Sequence, residues 1–301
     1  MQGQLEDLAL FALATAPGFS WAGTRAEIDE LGSPSAVLHA SFEGQLLGGF
    51  DEAVQEAERV IAEHTTRGIH TVTLYADDYP RQLRAVHDAP PVLYWQGQIQ
   101  DRDASAVAIV GTRTPDAWGA GFARDLAGML AENDVPVISG LARGVDVAAM
   151  RASLDHGGRT IGVIGTGLGV YYPREHRVLQ DEIAASHLLI SQFAPGSSAS
   201  KKTFPMRNVV MSGFASATVI VQAGETSGTR TQAAAAVRHG RPVIMTRHVA
   251  KKAKWAQDLV AGAYDIIVVA DAAEAFDAVQ RIQERRRAAD VDLALGTLLS
   301  V

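Results

Sequence analysis

The sequence predicts an α/β protein with a Rossmann-like, doubly wound and mostly parallel sheet, preceded by a small helical domain. From about residue 70 onward, short apolar runs alternate with helical segments, which is the pattern of strand–helix units. Before that point, apolar residues recur at helical spacing only. The length of 301 residues suits one large and one small domain. We therefore predict a helical domain over residues 1–68 and a Rossmann-like domain over residues 69–301.

Four helices are predicted in the N-terminal domain. The first has an apolar face and ends before Pro17-Gly18. Thr24 is expected to cap the second helix, and Gly32 to close it. Ser33-Pro34 opens the third. The last runs over residues 51–64, with apolar residues three and four positions apart.

Nine strands are predicted in the second domain. Most are short apolar runs without alternation, as expected for strands that are buried on both faces. They cover residues 71–75, 92–95, 106–110, 136–139, 160–164, 188–191, 218–222, 242–245 and 265–269. Helices are predicted over residues 116–132, 146–156, 174–185 and 229–239, and a closing helix over residues 271–288. The closing helix is expected to bury Ala272, Ala275, Phe276, Val279 and Ile282.

The composition excludes several classes of protein. The chain has no cysteine, which excludes disulfides and thiolate chemistry and fits a cytoplasmic protein. It has no apolar run long enough to span a membrane, and its N-terminus lacks the basic region of a signal peptide. The nine histidines show no metal-ligand spacing, so no metal site is predicted.

The charge is unevenly distributed. Residues 1–70 contain 3 Lys/Arg and 11 Asp/Glu, a net charge of −8, whereas residues 71–301 contain 24 and 23, a net charge of +1. In the second domain, bases concentrate in the loops that follow strands, where ligands of open parallel sheets bind. These bases are Arg113, Arg143, Arg174, Arg177, Lys201, Lys202, Arg207 and Arg230, opposed by Asp116, Asp146, Glu175 and Glu225.

Glycine and hydroxyl residues accompany these bases at the strand–helix turns, as in Gly111-Thr112, Ser139-Gly140 and Ser227-Gly228-Thr229. Thr114 is expected to cap the helix that follows the first of these turns, with Pro115 as its first residue. Free amides at helix N-termini bind phosphate well. Tight packing is the alternative reason for glycine in any one turn. Several such turns at one edge predict a polyanionic or phosphorylated ligand.

Nucleotide cofactor motifs are missing. Gly165-Thr166-Gly167-Leu168-Gly169 does not fit G-x-G-x-x-G, and the next strand ends in Ser191-Gln192 without the acid that binds ribose. No phosphate-binding loop of the G-x-x-x-x-G-K-[ST] type occurs. We therefore predict no cofactor and find no catalytic constellation.

Aromatic residues and two further basic runs have less specific interpretations. Trp118, Phe193 and Phe204 lie near the loops and could stack nucleobases, although packing in the protein is an equally good reading. The basic residues at positions 251–254 and 285–287 are interpreted as solvated faces.

Seven motifs follow one another along the chain. They are Tyr79-Pro80-x-x-Leu83, Pro91-Val92-Leu93-Tyr94-x-x-Gly97, Val110-Gly111-Thr112-Arg113, Ser139-Gly140-Leu141-Ala142-x-Gly144-x-Asp146, Tyr172-Pro173, Phe204-Pro205-x-Arg207-Asn208 and Ser227-Gly228-Thr229. In this order they resemble the DNA-processing protein A family (DprA, also called Smf), over about residues 5–247. The resemblance implies a non-catalytic, cytoplasmic homodimer that binds single-stranded DNA, protects incoming DNA and loads the RecA recombinase in natural transformation. The N-terminal helices resemble the family's sterile-alpha-motif-like or helix-hairpin-helix domain.

Combining this resemblance with the loop residues gives a predicted set of DNA-phosphate contacts. The set is Gly111, Thr112, Arg113, Ser139, Gly140, Arg143, Arg174, Arg177, Lys201, Lys202, Arg207, Asn208, Ser227, Gly228 and Thr229. Arg113 and Arg207 are expected in exposed loops, so that replacing either would weaken DNA binding and leave folding nearly unaffected. The dimer is expected to form through the apolar C-terminal half of the second domain.

The chain departs from the family pattern at several positions. Met150 stands where the family usually has His, Gln222 where it has Glu, Thr246-Arg247 where it has Pro-Gly, and His176 where it commonly has Asn. In addition, no room is expected for a C-terminal winged-helix domain. The alternative function is a nucleotide sensor or an enzyme that resembles the phosphoribohydrolases. Those enzymes carry P-G-G-x-G-T-x-x-E, and Gln232 stands here in place of the acid. An amide cannot act as a general acid or base.

Overall fold

The computed structural model describes residues 2–42 and 49–298. Its helices are α1 (Gln2–Thr15), α2 (Trp21–Leu31), α3 (Pro34–Ala40), α4 (Gly49–Thr66), α5 (Arg81–Arg84), α6 (Ala117–Glu132), α7 (Val145–Asp155), α8 (Arg177–Ser186), α9 (Thr203–Phe214), α10 (Thr229–Arg238), α11 (Arg247–Lys252), α12 (Lys254–Ala261) and α13 (Ala272–Leu298). Its strands are β1 (His70–Thr73), β2 (Val92–Gly97), β3 (Val107–Val110), β4 (Val137–Ser139), β5 (Thr160–Val163), β6 (Leu188–Ser191), β7 (Ala217–Ile220), β8 (Val243–Thr246) and β9 (Ile266–Val269). Parts of both predicted domains, residues 1 and 43–48 and residues 299–301, lie outside the described ranges.

All the strands join in one sheet with the order β1-β2-β6-β5-β4-β3-β7-β8-β9. The strands from β3 to β9 pair in parallel, while β2 pairs antiparallel with both β1 and β6. The predicted α/β class with a mostly parallel, Rossmann-like sheet is confirmed. Each of the nine predicted strands is present, with ends that differ by at most two residues.

The order of the strands reverses next to β3. The chain proceeds from β3 through β4 and β5 to β6 on one side, and from β7 through β8 to β9 on the other. At such a reversal the loops after the two central strands diverge to opposite faces and leave a crevice at the carboxyl edge. The fold therefore places the ligand-binding region beyond the ends of β3 and β7.

Hydrophobic cores cover both faces of the sheet. Alternate residues of β3 point to opposite faces, so that Val107 and Ile109 belong to one core, and Ala108 and Val110 to the other. The first core also contains side chains of α6, α7 and α13, and the second those of α9, α10 and α12. Full burial of one such aliphatic side chain contributes about 1.5–3 kcal/mol. The helices at the carboxyl edge are therefore held on a rigid base.

The closing helix buries the face that the sequence predicts. Ala272, Ala275, Val279 and Ile282 are buried, and Phe276 packs partly buried beside them. The helix extends to Leu298, ten residues further than predicted. Within the described residues, no helix has both the length and the apolar composition needed to cross a membrane.

The N-terminal helices pack on the end of the sheet that carries β1 and β2. Phe11 of α1 and Ala57 of α4 share a hydrophobic cluster with Tyr94 of β2. The ring of His64 meets the rings of Phe11 and Tyr94 edge-on, with centroids 6.3 and 5.7 Å apart. Thr73 donates a hydrogen bond of 2.7 Å to Asp7. The predicted boundary at residue 68 lies two residues after the end of α4, and the division of the chain into two domains stays a prediction.

Two predicted helix caps are wrong by a few residues. Ser20, rather than Thr24, caps α2, because its backbone is extended and its side chain accepts a hydrogen bond from Gly23 N. Asp116, rather than Thr114, caps α6 and accepts from Gly119 N at 2.8 Å. Each helix has two polar residues near its start that could cap it, and the sequence alone does not distinguish between them.

Other helix ends agree with the sequence. Gly32 closes α2 with a φ of 92°, in the left-handed region that favours glycine. Ser33 caps α3, and Pro34 is its first residue. The helix predicted to begin at residue 174 begins instead at Arg177, after a short 3₁₀ turn over Arg174–His176.

The most consequential difference is α9, where the sequence predicts a continuing loop. Pro205 is compatible with this helix because it lies in the first turn, where its missing N–H is not needed. Gly213 lies near the other end, where a Cβ would come within 2.6 Å of Leu83 Cδ1 of α5. The short helices α5, α11 and α12 were also absent from the sequence prediction.

Candidate nucleic-acid interface

Two adjoining cavities lie at the carboxyl edge of the sheet, with volumes of about 1030 and 610 Å³. Loops after β4 and β5 enclose the larger one, and the loops after β3 and β7 enclose the smaller one together with α9. Both are lined by Arg113, Ala142, Phe204 and Arg207. We call the two cavities together the edge groove.

Arg207 lies at the base of the edge groove, where the two cavities meet. Its side chain is 8% exposed, and Nη1 donates a hydrogen bond of 3.0 Å to the carbonyl oxygen of Val163. A Cβ on Gly140 would overlap the guanidinium group, so only glycine leaves room for it. The prediction of an exposed loop arginine is therefore wrong. Because α9 turns this residue toward β5, Arg207 supports the groove from beneath.

Asp146 provides a negative charge below the same surface. Its carboxylate is buried, and Oδ2 accepts a hydrogen bond of 3.1 Å from Gly140 N. Burial raises the pKa of Asp146, whereas Arg207 and the backbone N–H of Gly140 lower it. Burial lowers the pKa of Arg207. The charge of Asp146 opposes this shift, and the charge of Arg113 reinforces it. The acid thus faces Arg207 from within the protein and leaves the open side of the groove to the cations.

Ser139 and Asn208 also differ from their predicted role. Ser139 is fully buried, and its hydroxyl donates to the carbonyl oxygen of Ile109 at 2.7 Å. Asn208 is 7% exposed and donates from Nδ2 to Thr231 Oγ1 at 2.8 Å. These side chains hold β4 to β3 and α9 to α10, so their polar groups are engaged in structure.

Arg113 is exposed above Arg207, as predicted. Its guanidinium carbon lies 6.0 Å from the centroid of the Phe204 ring, a distance at which cation–π attraction operates. Among the described residues, no acid forms an ion pair with Arg113 within 4.0 Å. Neither Asp116 nor Asp146 therefore pairs with Arg113.

The larger cavity carries most of the remaining arginines. Arg143 forms an ion pair with Glu175 across the opening, which leaves the pair exposed and weak in water. Arg177 lies over the ring of Tyr171 at 5.1 Å and 3.5 Å from Asp181. Arg174 is exposed in the wall. This half of the groove therefore combines cations with aromatic surface.

The structure gathers most of the predicted residues at one place. Those that line the larger cavity are Arg113, Gly140, Arg143, Arg174, Arg177 and Arg207. Those that line the smaller one are Gly111, Thr112, Arg113, Lys201, Arg207, Asn208, Ser227, Gly228 and Thr229. Ser139 and Lys202 line neither cavity.

Sequence reasoning missed three groups at the groove. Tyr172 is 47% exposed, and its ring centroid lies 5.3 Å from that of Phe204, so the two rings form one aromatic surface. Gln232 is 1% exposed, and neither polar atom of its amide has a hydrogen-bond partner among the described residues. Gln222 donates from Nε2 to Asp116 Oδ2 at 2.9 Å. All three had a signal in the sequence: Tyr172 belongs to the Tyr172-Pro173 motif, and Gln222 and Gln232 each stand in place of an acid.

A potential metal-binding group lies elsewhere. His87, Asp88 and His239 place their ligand atoms within 4.8 Å of one another, although the sequence showed no metal-ligand spacing. His239 is already engaged at both ring nitrogens, by Asp88 at 2.6 Å and by Ser212 at 2.8 Å. This group stands at the C-terminal end of α10, whose other end borders the groove.

The chemistry of the edge groove is that of a polyanion-binding surface. Its carboxylates are those of Glu175, which is paired with Arg143, and Asp146, which is buried. Its other functional groups are guanidinium and ammonium cations, backbone amides, hydroxyls and aromatic rings. Cations hold phosphates, and exposed rings stack on bases.

Comparison with known proteins agrees with this geometry. The sequence pattern of the family described as DNA recombination-mediator protein A matches residues 70–285. The chain is 38% identical over 168 residues to DNA processing protein DprA of Streptococcus pneumoniae, covering 56% of this chain and 59% of that protein. It is 37% identical over 187 residues to DprA of Bacillus subtilis, covering 62% and 63%. The match thus spans about three-fifths of the length of these relatives.

Two solved structures resemble this one over most of their length. DNA processing protein A of S. pneumoniae superposes with a TM-score of 0.65 and 26% identity, covering 89% of this chain and 93% of the other. The H. pylori (Helicobacter pylori) protein, whose structure concerns its single-stranded DNA binding mode, gives a TM-score of 0.61 and 25% identity, covering 71% and 96%. Since the family pattern extends over well more than half of its residues, the chain belongs to the DNA recombination-mediator protein A family.

Proposed function

We propose that this protein binds single-stranded DNA in the edge groove and performs no chemical step on it. The observation that carries the proposal is the arrangement around Phe204. Arg113 lies over its ring, Tyr172 extends its surface, and Arg207 adds a fixed charge beneath. A phosphate fits beside the guanidinium groups, while an unpaired base has a ring on which to stack.

A single strand fits this surface better than a duplex. In a duplex the bases stack on one another and are closed to a side chain such as Phe204. The name of the H. pylori relative's structure, which refers to single-stranded DNA binding, supports the same choice.

The test compares the affinities for single-stranded DNA, duplex DNA and mononucleotides by fluorescence anisotropy across a series of salt concentrations. We expect single strands to bind most tightly. Arg113→Ala should flatten the slope of log affinity against log salt by about 0.7, the value for one phosphate contact on a single strand. Its unfolding free energy should remain unchanged, because the side chain is exposed.

Arg281→Ala is the matched control, since Arg281 is an exposed arginine nine residues into α13 and away from the groove. It should change neither slope nor affinity. Equal binding of duplex and single strand, or an unchanged slope for Arg113→Ala, would contradict the proposal. Release of free base from nucleoside monophosphates would favour the phosphoribohydrolase-like alternative instead.

We also propose that the protein acts as a homodimer in the cytoplasm. Val260, Tyr264 and Val268 are exposed by 44%, 53% and 37% beside β9, the last strand of the sheet. Burying this apolar edge against a second copy would place two grooves in one particle and raise apparent affinity without new contacts. Sedimentation should show a dimer at micromolar concentration, and Tyr264→Glu should shift it to monomer. A wild-type protein that stays monomeric while binding DNA tightly would contradict this.

We propose finally that the protein protects incoming DNA in transformation and delivers the bound strand to RecA. A protein that holds phosphates and bases from one side leaves the remaining surface of the strand accessible to a recombinase. Addition of the protein should shorten the lag before RecA hydrolyses ATP on single-stranded DNA that is coated with a single-strand-binding protein. With the Arg113→Ala variant, the lag should be as long as it is without added protein.

A further inference from the structure

Trp118 is a large exposed aromatic residue outside the edge groove. It is the second residue of α6, it is 43% exposed, and it lines neither cavity. Its ring lies 5.6 Å from that of Phe122, which is buried, and 6.1 Å from that of His248. One side of the indole thus rests on the protein, and the rest is open to solvent.

The neighbouring surface is basic. His248 belongs to α11, which follows β8 and also carries Arg247, Lys251 and Lys252. Arg247 lies 3.7 Å from Glu274, with both side chains exposed. Lys251 and Lys252 are exposed, and within the described part of the chain no acid lies within 4.0 Å of either ammonium group. This cationic surface has Trp118 at its border.

Trp118 and α11 adjoin the groove through the end of β7. Thr112 N donates to the carbonyl oxygen of Gln222 at 2.7 Å, and the Gln222 amide bonds Asp116, two residues before Trp118. Asp116 is the acid on this path. Its carboxylate already accepts from Gly119 N and from Gln222 Nε2, and these hydrogen bonds lower its pKa. Each of its two carboxylate oxygens therefore already accepts one hydrogen bond from the protein.

We propose that Trp118 and the basic face of α11 form a second contact site for single-stranded DNA, which continues from the edge groove across the end of β7. The indole face stacks on one base, and Lys251 and Lys252 hold the phosphates beside it. We call this surface the Trp118 site. The proposal rests on the proposed function, since the strand must first occupy the groove. It also changes the interpretation of residues 251–254 from a solvated face to a DNA contact.

Tryptophan fluorescence tests this proposal directly. Of the other tryptophans, Trp95 and Trp255 are 5% and 6% exposed, and Trp21 is partly buried in α2, where its indole donates to the carbonyl oxygen of Ala89 at 3.0 Å. Oligothymidylates of about 4 to 16 nucleotides cover the site sizes of known single-stranded DNA-binding modules. We expect long oligonucleotides to quench the emission and short ones to leave it unchanged. Trp118→Phe should lose this length-dependent quenching.

Affinity measurements give the second readout. Loss of one base stack weakens binding by roughly 5- to 150-fold, so Trp118→Ala should weaken binding of long oligonucleotides by at least about fivefold and spare short ones. Lys251→Gln combined with Lys252→Gln should flatten the salt slope by about 1.4 for long oligonucleotides only, for two lost phosphate contacts. Tyr75→Ala is the control, because Tyr75 is equally exposed, at 46%, and lies between β1 and α5.

The outcomes separate this inference from the proposed function. If wild-type protein binds no single-stranded DNA of any length, the proposed function itself fails. If it binds but Trp118→Ala behaves as wild type at every length, only the Trp118 site is overturned. Equal weakening at all lengths would assign Trp118 to the groove and contradict a continuing path. Thermal melting of each variant confirms that it is folded.

Discussion

Gly140 and Arg207 depend on each other at the base of the edge groove. A methyl group at position 140 would overlap the guanidinium, and overpacking of this kind costs about 1–3 kcal/mol. We expect Gly140→Ala to lower the free energy of unfolding by about that amount and to weaken DNA binding, because Arg207 must move. Urea unfolding and anisotropy measure the two effects.

The control for this prediction is a glycine substitution that should raise the free energy of unfolding. Gly121 lies within α6, and a Cβ there would have no heavy atom within 4 Å. Gly121→Ala should stabilise the protein by up to about 1 kcal/mol, since alanine favours a helix. If Gly140→Ala were equally harmless, the tight fit around Arg207 would be wrong.

Gln232 carries a cost in stability. It is buried in the wall of the smaller cavity, and its amide lacks a partner among the described residues. Leaving a buried polar group unsatisfied costs about 1–3 kcal/mol, so Gln232→Leu should raise the free energy of unfolding. Gln283→Leu should lower it, because that amide donates to the carbonyl oxygen of Ser105 at 3.2 Å. A destabilised Gln232→Leu variant would show that the amide has a partner after all.

These residues also mark the limit of the sequence prediction. The exposed position of Arg113 follows from its place directly after a strand. The burial of Arg207 does not, because it depends on Gly140 and Val163, which are distant in sequence and meet only when α9 packs on the sheet. Periodicity within one segment contains no information on such a contact.

At the scale of elements, an ion pair holds the turn before β3 to the start of β5. Arg159 binds Asp103 through two nitrogens, and the two side chains are 3% and 0% exposed. Removing one partner of a buried pair costs about 3–5 kcal/mol. We expect this loss for Asp103→Ala in urea unfolding. Glu182→Ala, which breaks the exposed pair with Arg151, should cost less than about 1 kcal/mol.

The contact between the N-terminal helices and the sheet should weaken in acid. His64 packs between Phe11 and Tyr94, and burial lowers its pKa below the ordinary 6.5. The unfolded chain therefore binds more protons than the folded one in this range. The contribution of His64 is complete above about pH 6.5 and is lost as the pH falls through its folded-state pKa.

Comparing wild type with His64→Gln isolates this effect. Unfolding free energies at neutral and acidic pH should differ less for the variant than for wild type. His70→Gln, at an exposed histidine on β1, should keep the wild-type pH dependence. An unchanged difference in His64→Gln would place the titrating group elsewhere.

Strands were predicted better than helices for a physical reason. Each strand is a short apolar run between turn residues, which forms a recognisable unit within four to six residues. Helix α9 is instead defined by what it packs on, as its buried residues include polar Arg207, Asn208 and Ser212. The sequence rule that polar residues face solvent fails where side chains serve a site.

At the scale of the whole molecule, the class of fold and the edge that carries the site were predictable, and the order of the strands was not. The order of the strands depends on the face of the sheet over which each crossover connection passes, and short apolar strands do not specify that face. The rule that ligands bind beyond the carboxyl ends of strands needs only the direction of the chain. That rule was sufficient to bring residues 111–113, 140–143 and 227–229 to one surface.

The predicted N-terminal domain should unfold together with the sheet. Phe11 and Ala57 share a hydrophobic cluster with Tyr94, so separating the two would expose apolar surface on both. We expect denaturant curves recorded by far-ultraviolet circular dichroism and by the fluorescence of Trp21, as the single tryptophan, to coincide. Two separate transitions would instead establish residues 1–68 as an independent folding unit.

The position of β9 at the end of a parallel sheet constrains any symmetric pair built on it. Two copies joined by backbone hydrogen bonds between their β9 strands must pair antiparallel about a two-fold axis. Their carboxyl ends then point in opposite directions, and the two edge grooves lie on opposite rims. Packing of Val260, Tyr264 and Val268 about an axis parallel to the strands keeps both grooves on one rim. Only this second geometry presents both grooves to one DNA strand on the same rim, and the two-fold axis makes the two grooves run in opposite directions.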